Sequence, residues 1–197
     1  MRRRTLDALL TTGGLIVAVV LLVAGGLLTW ASNFVDDNVR TQLSAQQIFF
    51  PEAGSEQLND PAVKPHLEKY AGQQLLTGDQ ARAYADHYIK VHLDASTGGK
   101  SYSELSNISR ANPTDEKAAG LVQLAFRGET LRGLLLNAYA FGTMGKIAGF
   151  AAWAALAGSL GMLVLSLLGF MHLRRVPVEE EVGVPATTKV AATPVTA

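Results

Sequence analysis

The chain has 197 residues, 17 basic and 17 acidic, with a formal net charge of zero and no cysteine. The missing thiols exclude disulfides, zinc–thiolate sites, iron–sulfur clusters and cysteine nucleophiles, and the balanced charge lacks the basic footprint of a nucleic-acid binder. Charged residues make up 17% of the chain against about 25% in an ordinary soluble domain, and the deficit falls in two charge-free stretches.

Residues 1–8 include Arg2, Arg3 and Arg4 and read as a cytoplasmic basic start. LLTTGGLIVAVVLLVAGGLLTWASNFV follows at residues 9–35. A lipid core of about 30 Å needs about 20 helical residues, so a transmembrane helix is expected over residues 9–32. Trp30 stands at its far end, where an indole prefers the headgroup layer. A cleaved signal peptide is the competing reading, with Thr29-Trp30-Ala31 before Ser32 as the processing site. The length of the run favours an uncleaved anchor, because signal cores usually hold about 7–15 apolar residues.

Residues 33–146 read as an extracytoplasmic domain. They hold 11 basic and 13 acidic residues, a charge near −2 that gives no steering toward anionic polymers. Asn33 with Asp36 suggests a helix cap, and Val35, Val39 and Leu43 form a narrow apolar stripe toward Gln47. IFFPEAGSEQLNDP breaks that helix, leaving Phe49 and Phe50 either in the headgroup layer or packed on the domain. Asp60-Pro61 starts a helix that buries Val63, Leu67 and Tyr70 and ends at Gly72. Thr77 with Gln80 caps another, carrying Ala81, Tyr84, Ala85, Tyr88 and Val91 on one side and an Arg82–Asp86 pair on the other. Thr97-Gly98-Gly99 ends it. Ser101 and Glu104 box a short helix with Leu105 and Ile108. Asn112-Pro113-Thr114 precedes the last helix, with Ala118, Leu121, Val122, Ala125 and Phe126. No strand alternation appears, so the expected fold class is all-α: a helical bundle domain flanked by two transmembrane helices.

FRGETLRGLLLNAYAFGTMGK leads into the second span. Between residues 134 and 171 only Lys146 is charged, which predicts a buried helix that bends near Gly142 or Gly145 before the span at residues 147–171. Glu129 and Arg132 are three apart and can pair; Arg127 needs another partner. Asn137 lies in an apolar run and is expected to hydrogen-bond in the bundle core. Arg127, Glu129, Arg132 and Asn137 form the candidate structural or anion-contact cluster. In span two, Gly145, Gly149 and Trp153 are four apart, as are Ala151, Ala155 and Ser159, and Ala154 and Gly158. Small residues at that spacing admit a second helix, so Gly145, Gly149, Ala151, Ala155 and Gly158 are the candidate packing positions. His172, Arg174 and Arg175 follow. With RRR before span one, they place both termini in the cytoplasm and the chain in the cell membrane. Residues 172–197, rich in Pro, Thr, Val, Gly and Ala, read as a disordered cytoplasmic tail.

Catalytic motifs are missing. There is no HExxH or GxSxG, and Gly98-Gly99-Lys100-Ser101 lacks the spacing of a phosphate loop. His66, His87 and His92 show no metal-ligand spacing, with His87 and His92 directed to different faces of a helix. Asp36-Asp37 and Asp115-Glu116 are explained as helix-start acids.

The order of basic start and span, then QLSAQQIFFP, YAGQQLLTGDQARAYADHYIKVHL and FRGETLRGLLLNAYAFGTMG, then a span closed by HLRR, resembles an uncharacterised family of actinobacterial two-span membrane proteins over roughly residues 4–175. The resemblance implies the architecture alone. Some members carry the name of an aromatic-ring-opening dioxygenase, but no clustered iron ligands match it here. The expectation is a non-enzymatic envelope protein with a structural or protein-interaction role and no cofactor. Its partners are the lipid bilayer and, through the small residues of span two, another membrane protein or a second copy. The alternative is a sensory or small-ligand-binding ectodomain acting through a partner membrane protein. Its sign would be an apolar pocket with converging polar groups such as Tyr84, Tyr88 or Arg132.

Overall fold

The protein is described here from a computed structural model covering residues 3–175; the expected unstructured tail beyond Arg175 lies outside the described residues. Those residues are helical apart from short connections and turns. α1 is Arg3–Ala45, α2 Glu56–Asn59, α3 Lys64–Leu67, α4 Gly78–Tyr84, α5 Lys90–Thr97, α6 Tyr102–Ala111 and α7 Glu116–Leu173. A 3-10 turn, Glu68–Tyr70, follows α3, and a π-turn, Ala85–Ile89, joins α4 to α5. α1 and α7 are both long and apolar enough to cross a membrane. The chain divides into two compact units, Met1–Gly26 with Trp153–Ala197, and Leu27–Ala152.

In the first unit, small and hydroxylated side chains make the helix contact. Thr11, Ala18, Ser159 and Ser166 are buried. The Ser159 hydroxyl donates to the Ala18 carbonyl at 2.8 Å, and a Cβ on Gly14 would stand 2.8 Å from Ser166 Oγ. Positions 11 and 18, and 159 and 166, are seven apart, the step of helices packed side by side with i±3 ridges in i±4 grooves. Leu10, Ile16, Val20, Leu160 and Leu165 turn outward and are exposed.

In the second unit, α1 runs without interruption through Asn33, which is therefore not a cap, and Asp36-Asp37 lie in its interior. Val39 and Leu43 are buried on the expected stripe. Gln47 leaves the helix with φ +51°. The chain then pairs briefly with residues 72–75: Phe50 N–H donates to Gln73 O at 2.9 Å and Leu75 N–H to Ile48 O at 2.9 Å. Within the segment read as a breaker, Ser55 caps the short α2. Asp60-Pro61 opens a turn in which the Asp60 carbonyl accepts from Val63 and Lys64 N–H, and α3 begins three residues later than Pro61. Gly72 ends this stretch at φ +67°.

The capping boxes of α4 (Thr77 with Gln80) and α6 (Ser101 with Glu104) are both formed, each worth about 1 kcal/mol. The Ser101 N–H and hydroxyl hold Glu104 below the usual carboxylate range. The core gathers Val39, Leu43, Phe50, Leu58, Val63, Leu67, Leu75, Ala81, Ala85 and Leu135. Each large side chain among them contributes about 1.5–3 kcal/mol by leaving water.

α7 departs from expectation at Gly142 and Gly145, where no break occurs. These glycines serve close approach. The Cβ position of Gly142 lies 3.5 Å from Gly78 Cα, and a Cβ on Gly78 would be 3.0 Å from Tyr139 Cα. α4 therefore meets α7 backbone to backbone. The helix also passes residue 172 and closes at Leu173, so the expected tail does not begin there.

Candidate functional site

Arg132 is the centre of a clamp between α7 and the π-turn. Its Nη1 reaches Glu129 at 2.9 Å, Nη2 reaches Asp86 at 3.3 Å, and Nε donates to the Ala85 carbonyl at 3.2 Å. Ala85 opens the π-turn, and its carbonyl also accepts from Lys90 N–H across the widened turn. The guanidinium fork fits this role because it offers several donors in one plane. Asp86 also lies 3.7 Å from Arg82, whose Nη1 donates to the Tyr139 hydroxyl at 2.9 Å. The expected Glu129–Arg132 and Arg82–Asp86 pairs are thus present and joined into one network. Arg127 and Asn137 stand outside it, both exposed. The core position expected for Asn137 is occupied by Leu135, which is 3% exposed. α7 turns the amide away from the bundle, so burial does not demand a partner for it.

Beside this network lies a polar cleft of about 370 Å³, bordered by His66, Lys69, Asp79, Arg82, His87 and Tyr139 among others. His66 and His87 stack face to face, 3.6 Å between centroids and 8° between planes. Sequence spacing did not signal this contact, because α3 and the π-turn bring together residues 21 apart in the chain. Stacked rings point their nitrogen lone pairs along parallel planes and do not converge on one ion. Among the described residues no three His, Asp or Glu side chains gather as a metal would require. His92 is turned elsewhere, its Nδ1 2.8 Å from Tyr88 O.

Burial holds the His87 pKa below the ordinary imidazole value, with His66 and Arg82 adding to the effect and Asp86 opposing it. The folded chain therefore takes up the His87 proton at lower pH than the unfolded chain. Its contribution to stability is complete above the unfolded value near 6.5 and is lost as pH falls through the lowered folded value. The unfolding midpoint of the wild type should thus drop more than that of His87→Gln between about pH 7 and about pH 5, measured by circular dichroism in mild detergent. Equal drops would refute the assignment.

A second cavity has the opposite character. α1 and α7 leave an apolar groove of about 470 Å³, walled on one side by Phe34, Val35, Val39 and Leu43 and on the other by Leu134, Ala138 and Phe141. Asn38 and Gln42 on α1, and Gln46 just past its end, add amides to it. At Gln46 and Leu134 it adjoins a further apolar cavity of about 400 Å³ reaching Tyr84, Ile89 and Leu131. Burial, then Tyr88, pushes the Tyr84 phenol up to about 12, so it is a neutral group here. Of the polar groups expected around an apolar pocket, Tyr84 lines one; Arg132 is engaged in its ion pairs.

The small-residue positions divide. A Cβ on Gly145 would stand 3.0 Å from Val35 Cγ1 and one on Gly149 3.0 Å from Ser32 Oγ, while Ser32 donates to the Gly145 carbonyl at 2.9 Å. Gly158 faces Leu21, and Ala155 is half-buried. Ala151 is exposed and does not pack, as are Ala154 and Trp153. Buried positions 145, 152, 159 and 166 step by seven, so the four-residue spacing catches only part of the contact face. Val35 Cβ is 3.2 Å from the Cβ position of Gly145, a few tenths of an ångström inside the about 3.5–4.5 Å of a disulfide. Val35→Cys with Gly145→Cys should therefore crosslink readily, and adding Gly149→Leu should weaken that crosslink, at about 0.5–2 kcal/mol per lost contact. Unchanged crosslinking would make the glycine compositional only.

Comparisons with protein-family models, with curated proteins and with solved structures find no match to this chain.

Proposed function

We propose that this chain is a two-span protein of the cell envelope whose helical domain lies outside the cytoplasm and engages a hydrophobic component of its own membrane, without catalysis. The observation that carries the reading is the uncharged apolar groove between α1 and α7. It is lined by exposed Phe34 and Phe141, and exposed Trp30 stacks on Phe34. Contiguous exposed apolar surface of this kind marks an interaction site. The spans are supported by burial: the most apolar windows of α1 and α7 are only 22% and 11% buried within the chain, unlike the core helix of a soluble protein. The basic flanks RRR and HLRR support cytoplasmic termini. A sensory ectodomain acting through a partner is the second reading, favoured by the polar cleft at His66, His87 and Arg82.

A photo-crosslinking side chain at Gln42, with Arg110 as control, tests the function in cells. Adducts with a membrane component from position 42 and not from 110 are expected; equal yields would defeat the reading. For topology, a reporter active only in the cytoplasm should stay silent when fused at residue 110. A mature N-terminus at Ser32 would remove span one.

A further inference from the structure

We propose that the groove between α1 and α7 holds an acyl chain of a membrane lipid, running from the bilayer edge at Phe34 and Phe141 out toward Leu131 and Ile89. The proposal rests on the two-span reading above.

Three observations select this occupant. First, no lining residue of the groove or of the cavity it adjoins is charged. A phosphate, a free carboxylate or a basic peptide would enter without a counter-charge, at a high desolvation cost. Second, the space is narrow. From Phe34 to Gln46 α1 rises about 18 Å, and a helix with its side chains is about 10–12 Å across. Cavities of about 470 and 400 Å³ admit a hydrocarbon chain along that length and not a partner helix lying within them. Third, the groove continues an exposed apolar belt of the same unit. Leu27, Trp30 and Phe34 on α1, and Phe141 and Met144 on α7, are all more than half exposed, and Trp30 stacks on Phe34 at 5.7 Å. A chain leaving the leaflet along this face meets apolar side chains of both helices along its path, so its transfer exposes little hydrocarbon to water. Asn38, the amide nearest Phe34, suits the ester and glycerol oxygens of the same lipid, which need hydrogen bonds once withdrawn from water.

The test uses the full chain in phosphatidylglycerol vesicles doped with a phosphatidylcholine carrying a diazirine at the end of one acyl chain. Adducts are mapped by peptide mass spectrometry after illumination. Labelling is expected on span residues such as Leu160 and also on Leu131 or Ile89. Leu134→Trp should cut the Leu131 and Ile89 adducts at least about fivefold, a loss of about 1 kcal/mol in occupancy, and leave Leu160 labelling unchanged. Leu134 is 58% exposed, so the larger ring fills the junction of the cavities without entering the core. Ala138→Phe blocks the middle of the groove as a second variant.

Labelling of Leu160 with none at Leu131 or Ile89 overturns the lipid proposal while the two-span reading survives. No labelling at Leu160 either overturns both. Undiminished Leu131 and Ile89 adducts in both blocked variants, with melting unchanged, would show surface contact only and also overturn it.

Discussion

Phe50→Ala is expected to destabilise the domain by about 3–5 kcal/mol, the range for emptying a fully buried aromatic site. Phe50 is 2% exposed. Its ring lies 5.1 Å from Tyr70 and 5.4 Å from Tyr84, the latter edge to face. Truncation removes both contacts and leaves a void beneath α4, and neither tyrosine can fill it cheaply. Tyr84 is also held against Tyr88 at 4.7 Å. The neighbouring Phe49 is 56% exposed, so Phe49→Ala should change stability by no more than about 0.5 kcal/mol. Denaturant unfolding followed by circular dichroism in mild detergent separates the two. Equal, small losses would mean that the pair sits in the headgroup layer and that the aromatic cluster is not the centre of the core.

That contrast marks where sequence stops being informative. An alternating pattern tells which of two adjacent residues faces inward only if the strand is long enough to show a period, and the pairing of residues 48–51 with 72–75 is too short. Local devices were legible because donor and acceptor are neighbours in the chain: Thr77 with Gln80, Ser101 with Glu104, and left-handed Gly72 and Gly98. The same holds for the all-helical class and for the two long apolar helices. What failed depends on partners far away in sequence. Gly142 looked like a hinge, yet it makes room for Gly78, 64 residues earlier. Asn137 looked buried because its neighbours are apolar, but a helix through an apolar run has an outward face too. The π-turn shifts His87 off the position that an α-helical count gives it, which hid the stack on His66. The Ser32 hydroxyl donates to the Gly145 carbonyl 113 residues away, a contact no local pattern announces.

Arg132→Ala is expected to cost about 2–3 kcal/mol, by far the largest effect among the four candidate cluster residues. The side chain is 16% exposed and its three partners come from two places: Glu129 one turn away on α7, and Asp86 and the Ala85 carbonyl on the π-turn. Hydrogen bonds to a charged group contribute about 1.5–3 kcal/mol, and removing one side of a partly buried pair strands the other. Asp86 retains Arg82 at 3.7 Å and some contact with water, which keeps the expected loss below that of a fully buried pair. Glu129 is half exposed, so Glu129→Ala should cost at most about 1 kcal/mol. Arg127→Ala should stay within about 0.5 kcal/mol. Arg132→Lys should recover little, since an ammonium cannot reach two carboxylates and a carbonyl in the planar geometry of the fork. The rival account makes Arg127 and Arg132 a joint anion or headgroup site. It requires the two arginines to behave alike, whereas one is exposed and the other committed at every polar nitrogen position the clamp uses. Unfolding midpoints and bound phospholipid, measured on the same purified variants, decide between them. A steep loss of stability in Arg132→Ala alone, with phospholipid retained, fits the clamp. Unchanged stability with phospholipid lost from both arginine variants would overturn it in favour of a headgroup site on the charged face.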